Sequence, residues 1–381
     1  MQITDVQTRL FEFTMPRRLG DVNSPQGRSE GAAMITRIDT DQGLSGISLH
    51  QPGARASVED LKRLLIGEDP RGVVGLWQRM VDSAFKGGNR GIVTDAIAAI
   101  DVALWDLKAK LQGDPLWRTL GALSPRVKAY ASDIGLCLPD EELRAFYREM
   151  AALGVTAGKV KVGLDAESDL RRLGIVYKEL QVAAARPALM IDANEYWSAK
   201  QAVRRVREIE EHFDLTWVEE PARRWDYAGL RKVSDGVKAA VATGENLDDI
   251  GEFLPLLEHR AADVLNIGIS TSGITGATQA AHMAHGFDTP VTMMNTPGNF
   301  MAHLAAALPN HTMMEVVFLE SNPVFAVDTR IEDGWIILGE QPGLGIEIDA
   351  AALAEHEVQE VSRDTMASPW GRRMGAGLFR D

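Results

Sequence analysis

The chain divides by the rhythm of its apolar positions. From Ile3 to His50 alternating segments near Thr8–Phe13 and Ala33–Asp39 read as strands. Between them Pro16 to Gly31, rich in Gly, Arg and polar residues, reads as a mobile loop. Helical spacing follows over Val58–Leu65, Val73–Phe85 and Thr94–Leu111, where Ile97, Ile100, Ala103, Leu104 and Leu107 share a face. From Arg126 the pattern changes to short apolar runs, each followed by an amphipathic helix. The runs are Val127–Ala131, Gly158–Val162, Ala188–Ile191, Leu215–Val218, Ala239–Thr243, Asp263–Ile269, Pro290–Met294 and Met313–Val317. Helical segments such as Glu141–Ala152, Ser168–Ala183, Ala199–His212 and Thr275–His285 separate them. Strand then helix, repeated eight times, predicts a (β/α)8 barrel of the TIM type. The expected organisation is an α+β capping domain with a lid loop over 1–125, a barrel over 126–345, and a segment over 346–381 that packs back on the cap.

Length and composition agree with one barrel plus a smaller partner. The 381 residues are 45% hydrophobic and 25% charged, enough to bury a large core. The formal charge of -14 disfavours nucleic acid and anionic lipid as partners, and any anionic substrate would have to meet locally placed cations or a metal. Cys137 is the only cysteine, which excludes an intramolecular disulfide and a zinc site built from several thiolates. The absence of a signal-like start or a long apolar run makes a cytoplasmic location the expectation.

Three acidic residues end successive strands: Asp192 after Ala188–Ile191, Glu219 after Trp217-Val218, and Glu245 after Ala239–Thr243. Their spacing is close to one β/α unit, which predicts convergence at the C-terminal rim of the barrel. Taken singly, each is more simply a cap for the following helix; together they form a set of hard oxygen donors suited to one Mg²⁺ ion. One unit earlier, Lys159 and Lys161 flank Val160, so both ammonium groups enter the mouth while Val160 packs outward. Two neighbouring cations beside a divalent metal lower a lysine pKa, which makes this pair a candidate source of a base. The plainer alternative is a solvated lysine pair.

The motifs Lys159-Val160-Lys161, Asp192-Ala193-Asn194, Trp217-Val218-Glu219-Glu220-Pro221, Gly244-Glu245-Asn246 and the cap segment Asp101-Val102-Ala103-Leu104-Trp105-Asp106 occur in this order. The chain thereby resembles the enolase superfamily, in the mandelate-racemase-like subgroup of its mandelate racemase/muconate lactonizing enzyme family. The resemblance implies that Asp192, Glu219 and Glu245 hold Mg²⁺, that Lys161 abstracts a proton alpha to a carboxylate, and that Lys159 assists it. It also implies that Glu315 helps stabilise the enediolate and that the protein is a homo-oligomer acting on a small carboxylate. The acid–histidine pair that the branch commonly places after the sixth and seventh strands is replaced by Asn266-Ile267-Gly268-Ile269 and Val291-Thr292-Met293-Met294-Asn295. One base without a partner on the far face favours dehydration of a hydroxy-carboxylate or acid sugar. A racemase, epimerase or cycloisomerase is the alternative, and a non-catalytic barrel that binds metal or carboxylate is the rival of another class. Asn194, Asn246, Asn295 and Asn299 offer hydrogen bonds to substrate. Tyr196 is a candidate acid, His50 a candidate lid residue, and Arg17 and Arg18 candidates to meet the substrate anion from the loop. Gly343-Leu344-Gly345 is too short for a nucleotide loop, so no dinucleotide cofactor is expected.

Overall fold

In the computed structural model, which describes residues 1–268, 271, 273–294, 299–319 and 322–362, the chain opens as an antiparallel sheet. β1 (Ile3–Leu19) and β2 (Arg28–Thr40) form a long hairpin, and β3 (Ser45–His50) lies along β2. Ile3, Val6, Leu10, Met34 and Ile38 bury against α1 (Arg55–Lys62), α2 (Val73–Ser83) and α3 (Ile92–Gln112). The expected loop from Pro16 to Gly31 is therefore mostly strand, and only residues 20–27 form the tip. Gly and Arg content suggested a loop, but cross-strand pairing decides, with a register shift between Thr14 and Leu19 absorbing the irregularity.

α3 is apolar almost all round because both sides are covered. Ile97, Ile100 and Leu104 join the core under the sheet, while Val102 and Ala109 join the larger core of the barrel. Polar contacts fix the same junction. The Asp101 carboxylate accepts from the Thr275 backbone N–H at 2.9 Å and its hydroxyl at 2.6 Å, and Gly91 N–H donates to Asp248 at 2.7 Å. Asp106 accepts from Leu344 N–H at 2.8 Å, so the Gly343–Gly345 turn is a packing element.

After α4 (Leu116–Thr119) strand and helix alternate. The order is β4 (Arg126–Ser132), α5 (Asp140–Ala152), β5 (Ala157–Lys161), α6 (Ala166–Leu180), β6 (Ala188–Asp192), α7 (Ala199–Glu210), β7 (Leu215–Glu219) and α8 (Tyr227–Gly236). It continues through β8 (Ala240–Thr243), α9 (Ile250–Glu258), β9 (Val264–Ile267), α10 (Gly273–Gly286), β10 (Val291–Met293), α11 (Ala302–Ala307) and β11 (His311–Val316). All neighbours are parallel, and β11 pairs with β4 to close a ring of eight among the described residues. Outward residues such as Val160, Ile191, Val218 and Val241 pack under the helices with Leu173, Val176 and Phe253. Each such buried side chain contributes about 1.5–3 kcal/mol. Inward, Ala157, Trp217, Val264 and Met313 belong to one apolar cluster that fills the barrel below the mouth.

The strand Trp335–Leu338 adds antiparallel to β4, and Glu357–Val358 pairs with β1, where Arg9 donates to Glu357 at 2.8 Å. The tail Ser368–Asp381 lies outside the described residues. Among those residues, no helix is long and apolar enough to cross a membrane.

Candidate active site

Strand register places the chemistry at the C-terminal ends of β5, β6 and β7. Lys161 on β5 is aligned with Asp192 on β6, and Asp192 with Glu219 on β7. Asp192 and Glu219 are the last residues of their strands, and Glu245 lies just beyond the end of β8, partly open at the rim. Glu315 faces inward from β11 beside Tyr130 of β4. Lys159 and Lys161 are buried, and Val160 packs outward.

The lysines are fully engaged. Lys161 Nζ is 2.5 Å from Asp192 Oδ2. Lys159 Nζ lies 2.5 Å from Glu219 Oε1, 3.1 Å from Glu315 Oε1 and 3.5 Å from Asp192 Oδ2. It also stands over the Tyr130 ring, 5.6 Å from its centroid. The lowered lysine pKa is expected beside a divalent metal; with the carboxylates alone the balance differs. Burial lowers both lysines and the Lys159 ammonium lowers Lys161, but the facing carboxylates outweigh these effects and raise both.

The carboxylates outnumber the ammoniums. Burial, and the facing charges of Asp192 and Glu245, push Glu219 upward despite Lys159. Burial, Glu220 and Asp192 do the same to Glu245. Burial and the charges of Asp192 and Glu195 raise Glu220 to about 8. Among the described residues, Asp192, Glu219, Glu220, Glu245 and Glu315 thus share one mouth with Lys159 and Lys161 as close ammonium partners and Arg224 near Glu220 and Glu245. A dense set of oxygen donors with surplus negative charge is the chemistry a hard dication requires, so Asp192, Glu219 and Glu245 fit Mg²⁺. Among the described residues, no three His, Cys, Asp or Glu side chains are arranged to hold a metal as they stand. Asp192 and Glu219 point their oxygens at the lysines instead.

Glu220, which the sequence reading passed over, organises the rim. Asn246 Nδ2 donates to Glu220 Oε1 at 2.6 Å and Asn194 Nδ2 to Oε2 at 3.5 Å, so both amides face a carboxylate of the chain. Arg224 Nε donates to Glu195 at 2.6 Å beside them. Asn194, Glu195 and Glu220 all take positive φ, between 41° and 58°, a conformation that costs non-glycine residues on the order of 1–3 kcal/mol each. Backbone bonds hold these bends: Glu195 N–H donates to Glu220 O and Glu220 N–H to Ala242 O, both at 2.8 Å. The doublet of acids after Val218 was the available signal for Glu220.

The remaining candidates separate. Arg17 and Arg18 belong to β1 or its end, not to a free loop. Arg17 Nη2 donates to Asp133 O at 2.9 Å and its guanidinium stacks on Phe146 at 4.1 Å; Arg18 donates across the hairpin to Gly27 O at 3.5 Å. His50 is buried on the side of β3 that carries Ser48 towards α3, and burial lowers it to about 4, so it is no open lid residue. Tyr196 is half-buried at the rim beside Gly163. Asn295 lies outside the described residues. His303 Nδ1 accepts Trp117 N–H at 3.0 Å.

The hairpin tip closes on the barrel. Gly20 N–H donates to Ile134 O at 2.6 Å, Leu136 N–H returns to Gly20 O at 2.9 Å, and Asn23 Nδ2 reaches Asn194 O at 3.5 Å. Across the mouth from the lysines, β9 and β10 present Asn266 and Thr292, followed by Gly268 and Met294. None of these four ionises as an acid or base.

Enolase C-terminal domain-like matches residues 142–352, and the mandelate racemase / muconate lactonizing enzyme N-terminal domain matches residues 7–121. The 3,6-anhydro-alpha-L-galactonate cycloisomerase of Streptomyces coelicolor is 30% identical over 365 residues, 92% of this chain and 98% of that protein. The solved L-talarate/galactarate dehydratase from Salmonella typhimurium LT2, liganded with Mg and L-lyxarohydroxamate, superposes with a TM-score of 0.85 at 26% identity, covering 94% of this chain and 93% of that one. The L-talarate dehydratase from Polaromonas sp. JS666, complexed with Mg and L-glucarate, gives a TM-score of 0.83 at 30% identity, covering 94% and 98%. With cap and barrel each matched, the chain belongs to the mandelate racemase/muconate lactonizing enzyme family of the enolase superfamily.

Proposed function

We propose that the protein is a Mg²⁺-dependent dehydratase of a hydroxy-carboxylate or acid sugar, with Lys161 as its single base. The observation that carries this is the asymmetry of the mouth: two buried lysines on β5 face a wall on β9 and β10 without an ionisable side chain at Asn266, Gly268, Thr292 or Met294. Asp192, Glu219 and Glu245 would hold the ion. Bound there, the ion would supply positive charge that offsets the second negative charge of the deprotonated carboxylate and would favour the neutral form of the neighbouring Lys161 amine.

The chain's own residues then divide the work. Lys159, with Glu315 beside it, receives the substrate carboxylate. Lys161 Nζ takes the α-proton, and the electron pair of that C–H bond forms the new C=C bond as the β C–O bond breaks. The same ammonium returns its proton to the departing hydroxide, so water leaves, and the enol product becomes a keto acid. The docked hairpin over 20–27 keeps bulk water from the mouth. The solved relatives from Salmonella and Polaromonas are named as dehydratases and contain Mg with a sugar-acid ligand or analogue, which supports the reading.

A cycloisomerase is the second reading. It is favoured by the S. coelicolor relative of that name, which this chain covers almost end to end. Proton NMR of acid sugars and anhydro-sugar acids incubated with the enzyme and Mg²⁺ in deuterated water separates the two. Dehydration gives a deoxy keto acid. Ring opening or closure without loss of water identifies a cycloisomerase. Deuterium in recovered substrate of inverted configuration, without keto acid, would sink the one-base reading.

A further inference from the structure

The inner side chains of an eight-stranded barrel stack in layers of four, each layer drawn from alternate strands. Ala157, Trp217, Val264 and Met313 come from β5, β7, β9 and β11 and share the apolar cluster below the mouth. Two residues further along each strand, on the same inward face, stand Lys159, Glu219, Asn266 and Glu315. Contacts of Lys159 with Glu219 and Glu315 confirm three corners of this upper layer. Asn266 is the fourth, and β9 lies directly across the ring from β5.

Asn266 is completely buried, and neither Oδ1 nor Nδ2 has a hydrogen-bond partner among the described residues. A primary amide brings two donors and one acceptor, and leaving such a group unsatisfied costs roughly 1–3 kcal/mol. The other three corners of the layer are charged and paired. An orphaned amide aimed into the same layer is therefore matched to something that the chain does not itself supply.

We propose that Asn266 is a substrate-binding residue that donates Nδ2–H to the substrate carboxylate from the side opposite Lys159, while Oδ1 accepts a substrate hydroxyl. The proposal rests on the reading of this mouth as a proton-abstraction site. An amide can stabilise charge without exchanging a proton, so Asn266 adds electrostatic help on the far wall without adding a second base. Negative charge grows on the carboxylate oxygens as the α-proton leaves, so the hydrogen bond strengthens towards the transition state and acts mainly on kcat.

The test compares the unaltered protein with Asn266→Leu, which has similar volume and no hydrogen-bonding groups. Thermal melting reports folding and calorimetry reports Mg²⁺ affinity. Calorimetry at saturating Mg²⁺ reports the affinity for L-lyxarohydroxamate, whose planar oxygen pair imitates a deprotonated carboxylate. In folded Asn266→Leu, Mg²⁺ binding should stay within about threefold, the hydroxamate should bind at least about tenfold more weakly, and kcat should fall roughly 10²–10³-fold. A folded variant with hydroxamate affinity and kcat within about threefold of the parent would overturn the proposal, leaving the amide a water-satisfied packing residue. If the leucine variant does not fold, Asn266→Asp keeps the shape and replaces the donor with a repelling oxygen. Loss of hydroxamate binding with Mg²⁺ binding retained then supports the proposal, and unchanged hydroxamate binding overturns it. If the parent turns over no acid but the variants still lose hydroxamate affinity, the assigned reaction fails and the role of Asn266 in ligand binding stands.

Discussion

Lys161 shows how one contact decides a protonation state. Asp192 Oδ2, 2.5 Å away, with the charges of Glu245 and Glu219, raises the amine's pKa in spite of burial, so the proposed base role requires the Asp192 carboxylate to be drawn elsewhere. Replacing Lys161 with Ala should lower turnover by at least about 10³-fold, since the variant loses both proton abstraction and return. Mg²⁺ affinity measured by calorimetry should be retained or tightened, because Asp192 loses its competing partner; retention of near-normal turnover would remove Lys161 from the chemistry. The acids and lysines were legible because strand-end position and one-unit spacing leave a trace in sequence. Asn266 left none: a neutral amide on a strand belongs to no motif, and its lack of partners is visible only when the layer around it is assembled.

At the scale of elements, the tip of the hairpin between β1 and β2 is held to the barrel rim by hydrogen bonds to Ile134, Leu136 and Asn194. Its neck is narrow because Gly27 sits at φ 67° against Cys137, whose Sγ lies 2.5 Å from where a Cβ would stand, with Leu19 O at 2.9 Å. Gly27→Ala should therefore lift the tip from the rim, at a cost of about 1 kcal/mol or more in the strained turn. We expect KM for the acid substrate to rise about tenfold or more and limited proteolysis to cut within 20–27, while the melting temperature changes little. Unchanged KM and protease resistance would show that the hairpin tolerates the methyl group. The eight strands were readable because each is a short apolar run with a helix behind it. The hairpin was not, because residues 14–19 and 28–31 are strand only by virtue of pairing with each other across a register shift.

At the scale of the molecule, the cap is seated by buried polar contacts as well as by apolar burial. Asp101 is the main one: burial raises its pKa from 3.8 to about 7 despite two hydrogen bonds from Thr275. The folded chain holds this proton more tightly than the unfolded chain does. Its contribution to stability is therefore complete below about pH 4 and is lost as pH rises through 7, an effect on the order of a few kcal/mol. In Asp101→Asn, which imitates the neutral acid, the stability lost between pH 4 and 8 in urea titrations should be smaller than in the parent; identical pH dependence would remove Asp101 as its source. Such seating contacts join residues more than 150 positions apart and cannot be read from a local pattern. The closed ring has one more consequence. Ionisable side chains occupy the arc β5–β8 and β11, while β9 and β10 offer an amide, a hydroxyl, a glycine and a thioether. Substitutions on those two staves can reshape the wall that faces the lysines while leaving the charged side chains of the other arc in place.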